Sequence, residues 1–416
     1  MFPKVAVQDD DRRTTGQLRY NMKFAGIITE YDPFHNGHAT QLQMLRQRGA
    51  ETIAVCMSSG AVQRGGVPLF PESVRVRAAL LGGADLVVAL PAPYANTGAE
   101  AFAAAGVALL TALGCDTLAF GAEDPDADRL LQAARLLEAP DLSAQLRGYL
   151  GQGMTFAAAR AKAAEELQPG LSDLLSRPNN ILGIEYCKAL LAQHSPMQPL
   201  ALHRLGADHG SVQPGRAGQT LLASASFLRA AVRRGGVEAL APYVPEPAME
   251  VYRHAAAQGL TMDAGRFSLA LLTLLRVGDP ARFARVRGVN EGLEHRLSAA
   301  VRQASDAEDL YARLKTKRYP HARLRRLALD AAMGVEAGSM PEQPPYLHVL
   351  GARRAALPLL RNAAMPVSTS LSKLEQALPQ AENLIKMHNS FTNFSALCRE
   401  QTQPMGLAYT AKPVVL

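Results

Sequence analysis

Phe24-Ala-Gly-Ile-Ile-Thr-Glu-Tyr-Asp-Pro-Phe-His-Asn-Gly-His38 is the stretch on which the fold turns. Its first five residues form an apolar run of buried-strand length. Asp32-Pro33 makes a tight turn, and His35-x-Gly-His38 stands at the entry to a helix expected over 38–48. A helix N-terminus offers unpaired N–H groups and a partial positive charge, so it attracts phosphate. Gly37 lets the backbone approach a ligand closely. Two imidazoles three residues apart can both donate hydrogen bonds to phosphate oxygens, where negative charge grows as the bond between the α and β phosphates breaks. That is transition-state stabilisation, not nucleophilic catalysis. Two other readings stand beside it. His35 and His38 could be turn or helix-capping residues, or they could bind a metal. The metal reading finds no third His or carboxylate at ligand spacing and leaves Gly37 unexplained.

Outward from this stretch, apolar runs alternate with helical patterns. Strands are expected at 24–28, 52–57, 85–90, 117–120 and 200–203. Helices are expected at 72–81, 99–113, 126–138, 141–149, 155–167 and 181–193. Helices of this length between strands require crossovers, hence an α/β fold with a doubly wound, Rossmann-like parallel sheet. Beyond 235 the strand signal fades, and 262–276, 292–304, 305–315 and 320–333 read as helices rich in Ala, Leu and Arg. The expected organisation is an N-terminal extension over 1–21, a catalytic domain over 22–235 and a mainly helical basic domain over 236–416. Pro341-Glu-Gln-Pro-Pro345 reads as a linker.

The composition narrows the function classes. With 48% apolar and 19% charged side chains in 416 residues, the chain can bury more than one core and is not a disordered chain. Cys56, Cys115, Cys187 and Cys398 lie far apart with no CxxC pair, which argues against a disulfide scaffold and a structural zinc site. The first 21 residues are polar and carry an Asp-Asp-Asp run, unlike a secretory signal, and no apolar run is long enough to span a membrane. A cytoplasmic protein is expected. Formal charge is −3 over 1–200 and +10 over 201–416, an asymmetry that suggests a polyanionic partner for the second half or an Arg-rich solvated surface.

Polar clusters follow the expected strand ends, where open α/β sheets bind ligands. In Ser58-Ser-Gly-Ala-Val-Gln-Arg-Gly65, Gln63 and Arg64 are candidates to hold a polar substrate or a phosphate. Gly121 could let an adenine or ribose pack on bare backbone. Asn179 and Asn180 open a helix, as its cap or as substrate contacts. Arg204 is a candidate phosphate clamp. In Ser224-Ala-Ser-Phe-Leu-Arg229, Ser224 and Arg229 could hold the outer phosphates of a nucleotide, or Ser224 could be an N-cap. In the basic half, Lys315, Lys317, Arg318, Tyr319, Arg323 and Arg326 combine cations for phosphates with an aromatic that could stack on an unpaired base; the alternative is a solvated helix face.

With these segments in hand, the chain resembles the bacterial tRNA(Met) cytidine acetate ligase family, HIGH-type nucleotidyltransferases, from about Met22 to at least Leu360. The motifs that carry the resemblance are GIITEYDPFHNGH, MSSGAVQRG, GADLVVALP, FGAE, RPNNILGIEY, SASFLR, KTKRYPHARLRR and PYLHVLG. The resemblance implies activation of acetate by ATP, with Mg2+ accompanying the nucleotide, and transfer of the acetyl group to the wobble cytidine of elongator tRNA(Met). It also implies ATP contacts along Ile28, Thr29, Glu30, Tyr31, Asp32, Pro33, Phe34, His35, Asn36, Gly37, His38, Ala39, Thr40 and Gln41, and at Gly121, Asn179 and Arg204. Asp32 replaces the family's usual Asn, adding a negative charge beside the phosphate loop. SSGAVQRG replaces the usual SGNFVQRG. The rival readings are a small-molecule adenylyltransferase or cytidylyltransferase and a non-catalytic RNA-binding protein.

Overall fold

The computed structural model describes residues 22–204, 214–290, 292–316 and 318–416; the extension over 1–21 and Lys317 lie outside the described residues. Strands β1 (Phe24–Thr29), β2 (Thr52–Ser58), β3 (Leu86–Leu90), β4 (Thr117–Ala122) and β5 (Gln198–His203) form at the five expected places. They pair in parallel in the order β3-β2-β1-β4-β5. The chain runs from β1 outward through β2 to β3, then crosses to β4 on the other side of β1. The carboxyl ends of β1 and β4 therefore flank the point where the winding reverses, the place where such sheets leave a crevice.

The strands alternate their side chains between two cores. Ile53, Val55 and Met57 face helices Asn36–Gln47, Glu72–Leu81, Ala225–Gly235 and Glu246–Ala257. Ala54, Cys56, Leu118 and Phe120 face helices Ala99–Leu113, Ala127–Leu137 and Pro178–Ala192. Burying a Val, Leu or Ile is worth roughly 1.5–3 kcal/mol, so both faces of the sheet drive assembly. The sheet is thus doubly wound, as expected.

The second half departs from the sequence reading in one respect. It is mainly helical, but it also returns to the sheet. Between β5 and the helix Ala225–Gly235 lies a hairpin of β6 (Gly215–Ala217) and β7 (Thr220–Leu222). Strand β8 (Leu347–Ala352) then pairs antiparallel with β3, and β9 (Val367–Ser368) and β10 (Val414–Val415) pair parallel with β8. All six residues of β8 are buried, so it shows no polar alternation, and the segment read as a linker delivers it. Helices Ala264–Val277, Leu293–Gln303, Ala307–Leu314 and His321–Met333 form a third core with Glu382–Leu397. That bundle presses on the sheet end. A Cβ at Gly65 would sit 2.6 Å from the Arg325 carbonyl carbon, so only glycine lets the loop after β2 lie against the helix His321–Met333. No helix among the described residues is long and apolar enough to cross a membrane.

Candidate functional site

The site begins where β1 runs out. Tyr31 takes a left-handed backbone (φ +45°), uncommon for a bulky residue, and the Asp32–Pro33 peptide is cis. His35 is the N-cap of the helix Asn36–Gln47. Its Nδ1 accepts the Gly37 N–H at 3.1 Å, and the His35 N–H donates to Nδ1 of His38 at 3.3 Å. The rings stack with centroids 3.7 Å apart, while Tyr31 packs 4.7 Å from His38. Gly37 has a local reason: a Cβ there would stand 3.0 Å from Cε1 of His35.

This geometry bears out the capping reading and leaves Nε2 of each ring outside the capping bonds. Capping occupies both Nδ1 atoms as acceptors, so a neutral ring must carry its proton on Nε2. Burial, then Arg204 and Arg229, pull His35 down to about 3. Burial, then His35 and Arg204, hold His38 well below the usual imidazole range. Both rings are neutral Nε2–H donors at physiological pH. Nitrogen-15 spectra should show this tautomer for both rings with no titration between about pH 5 and 8. A midpoint near 6.5 for either ring would contradict the arrangement.

Opposite the cradle, Glu123 follows β4 and reaches the first turn of the helix Pro178–Ala192. It accepts from Asn179 Nδ2 at 2.5 Å and from the Asn180 N–H at 2.9 Å. Burial pushes the Glu123 carboxyl up, but these hydrogen bonds outweigh it and hold it below its usual value. The helix begins at Pro178 with Arg177 as N-cap, so neither Asn179 nor Asn180 is the cap; both lie in its first turn. Asn179 Oδ1 accepts from Arg204 Nη1 at 2.7 Å, which joins two of the expected ATP contacts into one edge with Glu123. Asn180 Oδ1 accepts the Asp124 N–H, and its Nδ2 is buried without a partner among the described residues. At Gly121 a Cβ would meet nothing within 4 Å, so this backbone borders open space.

Asp32 plays a different part from the one its charge suggested. It is 2% exposed, ion-paired with Arg64, and its Oδ2 lies 3.5 Å from Arg229 Nη1. It also accepts the Leu69 N–H at 2.6 Å. Burial raises its carboxyl, but Arg64, Arg229 and Arg75 outweigh that and keep it ionised. Asp32 therefore ties three segments together and is neutralised in place. Arg229 donates to the Asp32 carbonyl at 2.6 Å, and burial pulls its guanidinium down to about 10. Ser224 caps its helix by accepting the Phe227 N–H, the plainer of its two readings. Glu30 receives the Gln63 N–H at 2.5 Å and Arg64 at 3.5 Å. Gln63 Nε2 and the Tyr31 hydroxyl are buried without partners among the described residues.

Of the remaining β1-loop residues, Ile28, Pro33 and Phe34 are buried. Ile28 packs in the core beneath the helix Ala99–Leu113, so only its backbone can border the site. Asn36 Nδ2 donates to Leu221 of β7 at 2.9 Å, and Thr40 Oγ1 to the Asn36 carbonyl. Thr29, Ala39 and Gln41 are half-buried around the same turn.

The basic segment is only partly an open surface. Tyr319 is buried at 7% exposure, with Arg323 stacked 4.5 Å from its ring centre, so it does not present a face for a base. Lys315 Nζ donates to the Tyr319 carbonyl. Arg326 reaches inward to the Gln63 carbonyl at 2.8 Å, linking the bundle to the site. Arg318 is exposed. Sequence reading missed Glu123, quoted within FGAE but assigned nothing, and Arg75, whose Nη1 holds the Glu30 carbonyl at 2.7 Å.

Comparison with known proteins gives this geometry its family. The model for HIGH Nucleotidyl Transferase matches residues 22–407. A tRNA(Met) cytidine acetate ligase of Caldanaerobacter subterraneus subsp. tengcongensis is 33% identical over 86% of this chain and 91% of its own. One of Syntrophotalea carbinolica is 35% identical over 86% and 87%. The crystal structure of Thermotoga maritima TmcAL bound with alpha-thio ATP superposes with a TM-score of 0.87 at 25% identity, covering 95% of this chain and all of that one. With the imidazole pair at the sheet's reversal point and likeness along nearly its whole described length, the chain belongs to the HIGH nucleotidyl transferase family, in the branch of the tRNA(Met) cytidine acetate ligases.

Proposed function

We propose that this chain joins acetate to AMP from ATP and then acetylates N4 of the wobble cytidine of elongator tRNA(Met). The observation that carries the reading is the pair of neutral imidazoles, each with Nδ1 engaged by backbone and Nε2–H left to donate, beside Arg204 and Arg229. In the first step an acetate oxygen attacks the α-phosphorus and pyrophosphate leaves. His35 and His38 donate to the oxygens whose charge grows, and neutral donors do so without a proton changing hands. Arg204 and Asn179 hold the nucleotide at the edge made with Glu123, with Gly121 giving room beside it. Gln63 Nε2 and Asn180 Nδ2 are the buried donors left for a ligand to satisfy. In the second step the cytidine N4 attacks the acetyl carbon, AMP leaves, and the amine proton passes to solvent.

Among the described residues no group of His, Cys, Asp and Glu could hold a metal ion, so Mg2+ is expected to arrive on the ATP phosphates. Arg318 and Arg323, with Lys317, are the cations proposed to meet tRNA phosphates. A tRNA substrate implies a cytoplasmic location. The test combines ATP, labelled acetate and tRNA(Met). Acid-precipitable label with AMP release is expected. Pyrophosphate release with a small phosphorylated acceptor, and no label in tRNA, would replace this reading with that of a small-molecule nucleotidyltransferase.

A further inference from the structure

Three carbonyls on the way from β1 to the imidazole pair are gripped by side chains from three different helices. Arg75 Nη1, in the helix Glu72–Leu81, donates to the Glu30 carbonyl at 2.7 Å. Arg229 Nη1, in the helix Ala225–Gly235, donates to the Asp32 carbonyl at 2.6 Å. The Tyr252 hydroxyl, in the helix Glu246–Ala257, donates to the Phe34 carbonyl at 3.1 Å. The held carbonyls alternate along the chain, and Tyr31, with its left-handed backbone, lies inside the run. A bulky residue keeps that conformation only where its surroundings over-determine it.

The last of these bonds bears on the chemistry. The Phe34 carbonyl and the His35 N–H belong to one peptide group, which is planar. Tyr252 holds its oxygen, and its N–H donates to Nδ1 of His38 at 3.3 Å. A hydrogen bond at one end of a peptide group polarises it and strengthens the bond at the other. Tyr252 is 0% exposed, and its ring stacks on Phe70 with centroids 4.6 Å apart and planes 8° from parallel. Burial pushes its hydroxyl well above the usual phenol range, so it stays a donor. Buried so completely, it does not reach a nucleotide and can act only through the backbone it holds. We propose that Tyr252 is a positioning residue for His38: its hydroxyl fixes the Phe34–His35 peptide plane, and that plane presents the N–H that engages His38 Nδ1 and so aims Nε2–H. Arg75 and Arg229 hold the two preceding carbonyls of the same loop. The effect on rate rests on the adenylation proposed above; the effect on the imidazole does not.

The experiment compares the full-length parent with Tyr252→Phe, which deletes one oxygen and keeps the ring on Phe70. Nitrogen-15 spectra of the chain without ligands should show the His38 Nδ1 signal shifted or divided between tautomers, where the parent gives the Nε2–H form alone. With acetate and ATP, kcat for pyrophosphate release should fall at least about tenfold while KM for ATP stays within about twofold, because a misaimed donor costs most in the transition state. Ile53→Val thins the same core at the end of β2 away from the site and should move neither readout. An unchanged His38 signal or kcat in Tyr252→Phe, a change confined to KM, or an equal loss in Ile53→Val would overturn the assignment. A parent that releases no pyrophosphate with acetate, but whose His38 signal moves in Tyr252→Phe, would strike the ligase reading and leave the positioning of His38 standing.

Discussion

Replacing His38 with alanine is expected to lower acetyl-adenylate formation by about 10²–10³-fold, the usual effect of removing one preorganised donor to a developing oxyanion. The geometry explains why one ring matters so much. In the proposed reaction His38 supplies Nε2–H toward the reacting phosphate, while its Nδ1 receives the His35 N–H at the helix entry. Its ring also stacks on His35 at 3.7 Å, so the truncation loosens the second donor as well. The helix Asn36–Gln47 keeps Leu42 and Leu45 in the core and should stay folded. Pyrophosphate release with acetate and ATP measures the effect, and tRNA affinity should be unchanged, since Arg318 and Arg323, proposed to meet RNA, lie just before and within the helix His321–Met333. Parallel loss of tRNA binding would show that His38 shapes the fold rather than the reaction.

The second large effect is expected at Asp32. Alanine there should destabilise the protein by about 3–5 kcal/mol, because it strands buried cations instead of merely deleting a contact. Arg64 would keep the Glu30 carboxylate at 3.5 Å and the Val67 carbonyl at 3.4 Å, Arg229 would lose its carboxylate, and the Leu69 N–H would lose its acceptor. Asparagine should cost clearly less, since its carbonyl still accepts the Leu69 N–H. Urea unfolding at neutral pH is the measurement. The folded carboxyl is held below its usual value, so its contribution is fully present above the unfolded value of roughly 3.9 and fades as pH falls below it. Equal stability of the alanine variant and the parent would show that the two guanidiniums find water instead.

Local pattern carried much of this structure. The helices at 72–81 and 99–113 begin and end where read, because Pro71 opens one and Gly114, with its left-handed backbone, closes the other. The helix opening at Pro178 starts earlier than read, since its first turn is satisfied by Glu123 from a distant strand, a partner no local window contains. Strand β8 was missed because neighbours on both sides and cover on both faces remove the alternation that marks a half-buried strand. Tyr319 misled for a related reason. Its flanking cations suggested an open surface, whereas Arg323 and Lys315 pack around it. At the cradle, spacing revealed which residues meet but not the proton positions, which follow from backbone N–H groups at single Nδ1 atoms.

The late return of β8 has a consequence for synthesis on the ribosome. Strand β3 emerges early, yet its outer partner is not made until the chain has reached Ala352. Until then the nascent sheet presents a row of unpaired amides and carbonyls on a wholly apolar strand, the template on which chains misassociate. Emergence of β8, rather than completion of the N-terminal half, is the event that seals this edge.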